Sequence, residues 1–515
     1  MPLFRKIGMA ALSAAVAAGV LTSSVSADEA YYGYNYNWWN DPVPSQNGYI
    51  VDRVVTGVDI GVGPLNTPSD IFIEQTTGKI YIVDTNNNRI VITDESFDPS
   101  KATELKSFRY GEEFPESQSK VQKTELSQPM GVFVMVYKEQ TLIYIADYMN
   151  ERVIGCYEDG TIFREYTKPS SDLYEANISF RPEKVVVDNA LNVYAVIPSI
   201  TNGMVQFSYE GNFNGYYGAN RVETTAEVLQ NAFYSLFMNR DQMMKRQRAV
   251  AIEIANCDID AQGFIYTVTS SKNADKDILK KLNPAGENIY LNMGFDDMLF
   301  GDVATYYNGQ TYASVIDDVD VDENGNVFLL DFFSKRIFQY SNELDLEFIF
   351  GGEGNQKGLF TSPTAVENRN GKVYVTDGRK NSITIFKLTE FGAMVQEAVE
   401  MFNKGLYQEA KEPFEEILLR DSNYWFAYVG LGNAYYTMGE HETAMKYFYM
   451  NSKVGYNRAF KEYRMDMIRQ YFNVFMIAVL VLIVLAVVIS KAGKIMKKRK
   501  EKAAQAAAGG DGDAV

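Results

Sequence analysis

One histidine and two cysteines are the whole complement of those two residue types in 515 residues. That excludes a zinc cluster, a histidine-based triad and a disulfide scaffold. Basic residues are scarce against acids, 49 Lys and Arg facing 66 Asp and Glu, for a net charge of −17. The shortage is concentrated in the middle. Residues 1–27 hold Arg5 and Lys6 and no acid, residues 491–515 hold seven bases and three acids, and the chain between them carries −23. A surface that acidic repels phosphate backbones, which excludes nucleic acid as a partner. Long apolar runs are few as well: there are two. The length itself exceeds what one ordinary core serves, so two or more folded units are expected.

The first apolar run, Ile7 to Leu21, follows Arg5 and Lys6 and precedes the small residues Val25, Ser26 and Ala27. That order reads as a secretory signal peptide over 1–27. An uncleaved anchor is the alternative. No cysteine follows the run, which excludes a lipid-anchored form. The second run, 471–490, has no charged residue. At roughly 1.5 Å per residue it spans about 30 Å, the depth of a bilayer's hydrocarbon layer. Tyr471 and Phe472 stand at one end, and Lys491, Lys494, Lys497, Lys498, Arg499, Lys500 and Lys502 crowd the other. The positive-inside rule then makes 491–515 a cytoplasmic tail and the bulk of the chain extracytoplasmic, at a cell membrane crossed once. With no ionisable group, the span is an anchor rather than a path for ions.

Between these runs the chain repeats. Pro68-Ser69-Asp70-Ile71 leads to a strand ending at Asp84, then Arg89 opens another. Pro129 leads in the same way to Asp147 and Arg152, and similar strands end at Asp331, with Arg336, and at Asp377, with Ser382 in place of arginine. Weaker copies follow Pro182 and Asp258. The strands are short, β-branched or aromatic and often apolar on both faces, as sheets stacked face to face require. Six copies predict a six-bladed β-propeller over 49–390, with the strand at Tyr49–Val54 joining the last blade to close the ring. The pattern resembles the NHL-repeat propellers, most specifically in the turn Asp84-Thr85-Asn86-Asn87-Asn88-Arg89-Ile90. The resemblance implies a platform for ligands or partners. Related gluconolactonase-like propellers are metal-dependent hydrolases, which leaves that activity as the alternative.

The repeated aspartates read as structural, accepting turn amides and pairing with the arginine five residues on. Asp318, Asp320 and Asp322 with Asn324-Gly325 suggest a calcium loop, but the spacing to a terminal glutamate fails, and a β-turn is favoured. Residues 103–125 add a charged, mobile loop. Residues 219–250 read as an inserted helix with a basic end, Arg240, Lys245, Arg246 and Arg248, either a docking lid or a helix packed on the rim. In the arm 28–48, Tyr31, Tyr32, Tyr34, Tyr36, Trp38 and Trp39 alternate with asparagine. Such rings stack on sugars, making Tyr36, Trp38 and Trp39 candidate contacts for a sugar or cell-wall glycan; the other role for them is to tuck the arm against the propeller.

Over 391–470 the apolar period becomes helical, and Ala398, Gly405, Ala410 and Phe414 recur 34 residues on as Gly432, Gly439, Ala444 and Phe448. This resembles tetratricopeptide repeats, two of them with a capping helix near 457–470. The fold class expected is therefore multidomain: an all-β six-bladed propeller, a small all-α tetratricopeptide-like module and one transmembrane helix. The resemblance implies a groove for a peptide or protein, which Tyr424, Trp425, Tyr428, Tyr435 and Tyr436 would line unless they fill the module's core. His441 reads as an exposed turn residue, and Cys156 and Cys257 as free thiols. The whole arrangement, with Tyr34-Asn35-Tyr36-Asn37-Trp38 and the block Val62 to Ile71, resembles NHL-plus-tetratricopeptide membrane proteins of Gram-positive bacteria associated with carbohydrate uptake. That implies a membrane-anchored scaffold whose partner is a membrane or cell-surface protein, a transporter component among them. No cofactor is expected, and a divalent metal only under the hydrolase alternative. Carboxylates and asparagines converging on the channel axis would favour the enzyme; a hydrophobic or open channel would favour the scaffold.

Overall fold

The structure is a computed structural model describing residues 33–37, 41–175, 177–220, 252–269, 277–290, 300–302, 305–307, 310–312, 314–449 and 451–508. The segment 1–27 read as a signal peptide, Trp38, Trp39 and residues 221–250 of the expected inserted helix lie outside the described residues. The chain divides into two compact units. One holds the residues up to Asn403 together with Ile417–Tyr424, the other Lys404–Glu416 and the chain from Trp425 onward.

In the first unit the repeats are blades of antiparallel strands running outward in chain order. The first blade is Pro68–Ile73, Lys79–Asp84, Arg89–Asp94 and Thr103–Leu105. Its second strand shows why the pattern folds this way: Ile80, Tyr81, Ile82 and Val83 are all fully buried, because both faces of the sheet are covered by neighbouring blades. The later blades begin at Pro129–Tyr137, Lys184–Val187, Asn256–Ile259, Ile316–Val321 and Pro363–Arg369. The fourth has three described strands. Tyr49–Thr56 pairs antiparallel with Ser382–Leu388, so the sixth blade takes strands from both ends of the ring and shuts it. The inner strands touch one another in sequence, and the sixth touches the first.

The four strand-end aspartates, Asp84, Asp147, Asp331 and Asp377, are wholly enclosed. Asp84 accepts from Asn66 N (2.7 Å), Asn87 Nδ2 (2.8 Å) and Arg89 Nε (2.6 Å). Asp147 does the same with Ser127 N, Asn150 Nδ2 and Arg152 Nε, the last at 2.9 Å. Arg152 is itself completely buried and also reaches Glu165 at 3.1 Å. The third copy departs from the expected pair. Asp331 is satisfied by the hydroxyls of Ser314 (2.6 Å) and Ser334 (2.8 Å), and Arg336 turns to Asp302 at 3.0 Å. The two serines satisfy the carboxylate, so the guanidinium is left for another acid. Residues 103–125 are packed rather than projecting as a charged loop. Phe108 and Phe114 are buried, and Arg109–Tyr110 adds a parallel strand to the second blade.

The first helix, α1 (Glu390–Asn403), belongs with the propeller. Phe391 meets Phe348 and Tyr424 edge to face at 6.3 and 6.4 Å. Thr389 N donates to Gly48 O at 2.9 Å, and a Cβ on Gly392 would overlap that same carbonyl. The close approach therefore requires glycine. Asp421 holds the incoming arm, accepting from the Ser45 hydroxyl (2.6 Å) and Gln46 N (3.0 Å).

Four further helices follow: α2 (Lys411–Arg420), α3 (Trp425–Thr437), α4 (His441–Phe448) and α5 (Lys453–Ala508). Gly405 and Gly439, 34 residues apart, share the same left-handed backbone, φ +77° and +80°, the conformation that lets glycine end a helix. In the second unit Gly430 and Gly432 lie against the rings of Phe414 and Phe448, where any Cβ would collide. His441 is not in an exposed turn. It opens α4 and meets Asp466 on α5 at 2.5 Å, because the start of α4 packs beside α5. The 56-residue helix α5 carries the apolar stretch with Phe475, Ile477 and Leu482 open on its surface, long and apolar enough to cross a membrane.

Arg152 is the counter-charge for two buried acids, so Arg152→Met should destabilise the propeller by about 3–5 kcal/mol. Arg336→Met, at a third-exposed site, should cost about 1 kcal/mol or less. Denaturant unfolding of the two variants checks the contrast. Equal losses would mean that the Asp147–Arg152–Glu165 group has no special weight.

Candidate functional site in the propeller channel

Strand register explains which side chains meet at the axis. Side chains on a strand alternate with period two, and the six inner strands are paired to their second strands in equivalent register. One layer therefore comprises Asp70, Gly131, Lys184, Asn256, Asp318 and Ala365. Two residues on, nearer the mouth, a second layer comprises Phe72, Phe133, Val186, Asp258, Asp320 and Glu367. Three apolar residues from the first three blades face three acids from the last three.

The polar members bind blade to blade. Each inner strand is a sheet edge with unpaired N–H groups, and at four of the six a carboxylate from the preceding blade accepts one. Asp70 accepts from Val132 N (2.9 Å), Asp258 from Val321 N (3.0 Å), Asp318 from Val366 N (2.7 Å) and Glu367 from Ile73 N (3.0 Å). Asn256 donates to the Asp317 carbonyl at 3.3 Å, and Asn368 donates to Asp320 at 2.5 Å. Between the second and third blades the position is Gly131, where a Cβ would lie 2.6 Å from the Glu183 carbonyl. Lys184 reaches across to Asp70 at 2.7 Å.

These acids outnumber the one cation among them. Burial works against the Lys184 ammonium, but Asp70 and Asp318 outweigh it and hold its pKa above the ordinary lysine value. Burial pushes Asp258 up to about 6 and Asp318 to about 7, against the pull of Lys184. Asp320 and Glu367 are raised well above the usual range, first by burial, then by the Asp258 charge at Asp320 and by Asp320 and Asp258 at Glu367. Asp318 Oδ1 is buried without a hydrogen-bond partner.

Above the mouth layer lies a cavity of about 450 Å³, within the size range of small-molecule sites. Phe72, Phe133, Met135 and Val187 wall one side; Asp258, Asp320, Glu367 and Asn368 wall the other. The Phe72 and Phe133 rings stand 5.1 Å apart. Asp322 at the rim caps its own turn, accepting from Asn324 N (2.9 Å) and Asn326 N (2.8 Å). The run Asp318, Asp320, Asp322 is therefore an inner strand leading into a turn, not a calcium loop. Among the described residues no three His, Cys, Asp or Glu groups are placed to hold a metal ion. The channel acids are committed to neighbouring blades, and as placed they do not fit a divalent cation.

The residues singled out from sequence lie elsewhere. Tyr36 is buried, with its hydroxyl on Asp302 beside that of Tyr34 (2.7 Å), which tucks the arm onto the fifth blade's side of the propeller. Arg336 lies over the Tyr34 ring at 5.1 Å. Tyr424 is buried in the first unit. In the second unit Trp425, Tyr428, Tyr435 and Tyr436 are half-buried. Tyr435 stacks on Tyr447 at 5.3 Å, and Arg458 covers Tyr436 at 4.3 Å. Cys156 and Cys257 are free, buried thiols with raised pKa values, burial being the main cause. The channel residues do carry a sequence signal: they stand two and four residues after the blade-opening prolines, as in Pro68, Asp70, Phe72 and Pro363, Ala365, Glu367.

Fold and channel together define a six-bladed β-propeller with an acidic half-ring around its axis. Among solved structures the chain is similar to virginiamycin B lyase from Staphylococcus aureus, with 11% identity over 65% of this chain and 99% of that one, TM-score 0.38. It is also similar to PQQ-bound aldose sugar dehydrogenase from Streptomyces coelicolor, with 12% identity over 67% and 99%, TM-score 0.37. No family model matches the sequence, and comparison with curated proteins gives no match.

Acids that are protonated in the fold but ionised in the unfolded chain make stability fall as pH rises. Between about pH 4 and 7 the folded chain holds protons at Asp258 and Asp318 that the unfolded chain has released. The propeller should therefore be less stable at pH 8 than at pH 5, by on the order of several kcal/mol. Asp318→Asn should raise stability at pH 8 and flatten that dependence. Thermal unfolding across pH checks both; a variant that follows the wild-type profile would remove Asp318 from the account.

Proposed function

We propose that this chain is a membrane-anchored extracytoplasmic binding protein. Its propeller recognises a ligand at the channel mouth, and its helical repeats hold a membrane or cell-surface partner. The observation carrying this reading is the cavity itself, half apolar and half acidic, with its acids engaged as links between blades. The single histidine belongs to the second unit, and both thiols are buried. The charge asymmetry flanking 471–490 supports an acidic bulk outside and a basic tail inside. Within this reading, Trp38 and Trp39 are proposed contacts to a sugar or cell-wall glycan, while Tyr36 is spent in tucking the arm onto Asp302. Trp425, Tyr428, Tyr435 and Tyr436 are proposed contacts to the partner, a component of a carbohydrate uptake system being the first candidate; Tyr424 is buried in the first unit and is not among them. NHL and tetratricopeptide membership belong to the same proposal.

Metal-dependent lactone hydrolysis is the second reading. Asp258 favours acid–base chemistry, since a carboxyl near 6 sits close to working pH. The lack of a fitting ligand set opposes the metal.

Protease added to intact spheroplasts should remove nearly the whole chain and spare a C-terminal tag. Affinity purification from solubilised membranes should recover a permease or solute-binding protein reproducibly. A protected bulk with a clipped tag would reverse the orientation. Chelator-sensitive lactone hydrolysis without any partner would replace the binding role with the enzyme.

A further inference from the structure

The mouth layer is short of positive charge in a way the fold does not resolve. Asp320 and Glu367 are 3% and 7% exposed, and each uses one carboxylate oxygen within the fold, on Asn368 and Ile73 N respectively. The second oxygen of each has no partner among the described residues, and both side chains line the cavity. Asp258 lies within electrostatic reach of both. The buried lysine is committed to Asp70 one layer deeper, and Lys372 at the rim lies nearest Glu95, 3.9 Å away. Opposite the acids stand the paired rings of Phe72 and Phe133, with Met135 and Val187 beside them.

We propose that the channel mouth binds a small organic cation, an ammonium group carried on an apolar body. The ammonium would be held by Asp320 and Glu367 and the body would rest against Phe72 and Phe133. A bound ammonium supplies the positive charge that lets Asp320 and Glu367 ionise, and ionised carboxylates are acceptors only, so they select a donor, and a cation most strongly. Aromatic faces attract cations and bury alkyl or aryl groups. A neutral polyol carries no charge to offset the carboxylates, and hydroxyls laid against the Phe72 and Phe133 rings would go unmatched. The inference rests on the channel being a binding site, and it adds the chemical class of the ligand.

The test is titration calorimetry on the full-length protein in detergent at pH 7.5. Phenethylamine, hexylamine and 1,5-diaminopentane are the amine probes, with 3-phenylpropan-1-ol as a neutral control and calcium chloride as a metal control. At least one monoamine should bind saturably and raise the melting temperature, while the alcohol and calcium do neither. The double variant D320N/E367Q should weaken that binding about tenfold or more. Its fold should persist without ligand, since asparagine and glutamine can still accept from Asn368 and Ile73 N. Phe133→Ala should weaken the aryl amine more than the diamine. Absence of binding by all three amines would overturn the proposal, as would equal binding of the alcohol, calcium binding in their place, or full affinity in the amide variant. A membrane partner that still co-purifies in such a case would show that the ligand class failed and the binding role did not.

Discussion

The ring depends on how the edge of each inner strand is satisfied. A propeller blade begins with a strand that has a hydrogen-bonding neighbour on one side only, so its outward N–H groups need acceptors. Asp70, Asp258, Asp318 and Glu367 supply them to the next blade. Shape sustains the contact between the second and third blades at Gly131, where backbone approaches backbone. The covalent chain closes the ring once, through Tyr49–Thr56 beside Ser382–Leu388. The carboxylates close it around the axis.

That solution sets the electrostatics of the channel. Acids chosen to accept backbone amides are brought within reach of each other at the narrowest part of the fold, with Lys184 as their shared counter-charge. Crowding and burial then favour protonated forms. The same half-ring leaves carboxylate oxygens facing the cavity, where a ligand could use them. Under the proposed binding role, architecture and recognition draw on one set of residues. The outer turns follow another logic. There each arginine serves two acids, Arg89 with Asp84 and Glu104 and Arg152 with Asp147 and Glu165.

Much of the architecture was legible because it is local. The proline-led strands, the ring-closing strand near Tyr49 and the 34-residue offset between Gly405 and Gly439 each rest on short-range conformational preference. The continuous run from the capping segment into the apolar stretch is likewise a matter of composition along one helix. The site was legible only in part. Asp318 and Asp320 drew notice for a loop motif, whereas strand register is what brings them to the axis. Asp258 marked a weak repeat and nothing more. Arg336 matched the spacing of its counterparts but pairs with Asp302, since Ser314 and Ser334 had already satisfied Asp331. His441 had no visible partner in sequence because Asp466 lies on the following helix.

Sequence alone determined six blades, a helical region and an apolar helix, since periodicity and turn chemistry act over a few residues. Only the tertiary structure decided that Asp70 meets Lys184 and that Glu367 faces Asp258 and Asp320. Those residues are separated by some fifty to over a hundred positions along the chain. They converge because a ring brings the same register position of every blade to one axis, and no local rule says which side chain will be waiting across it.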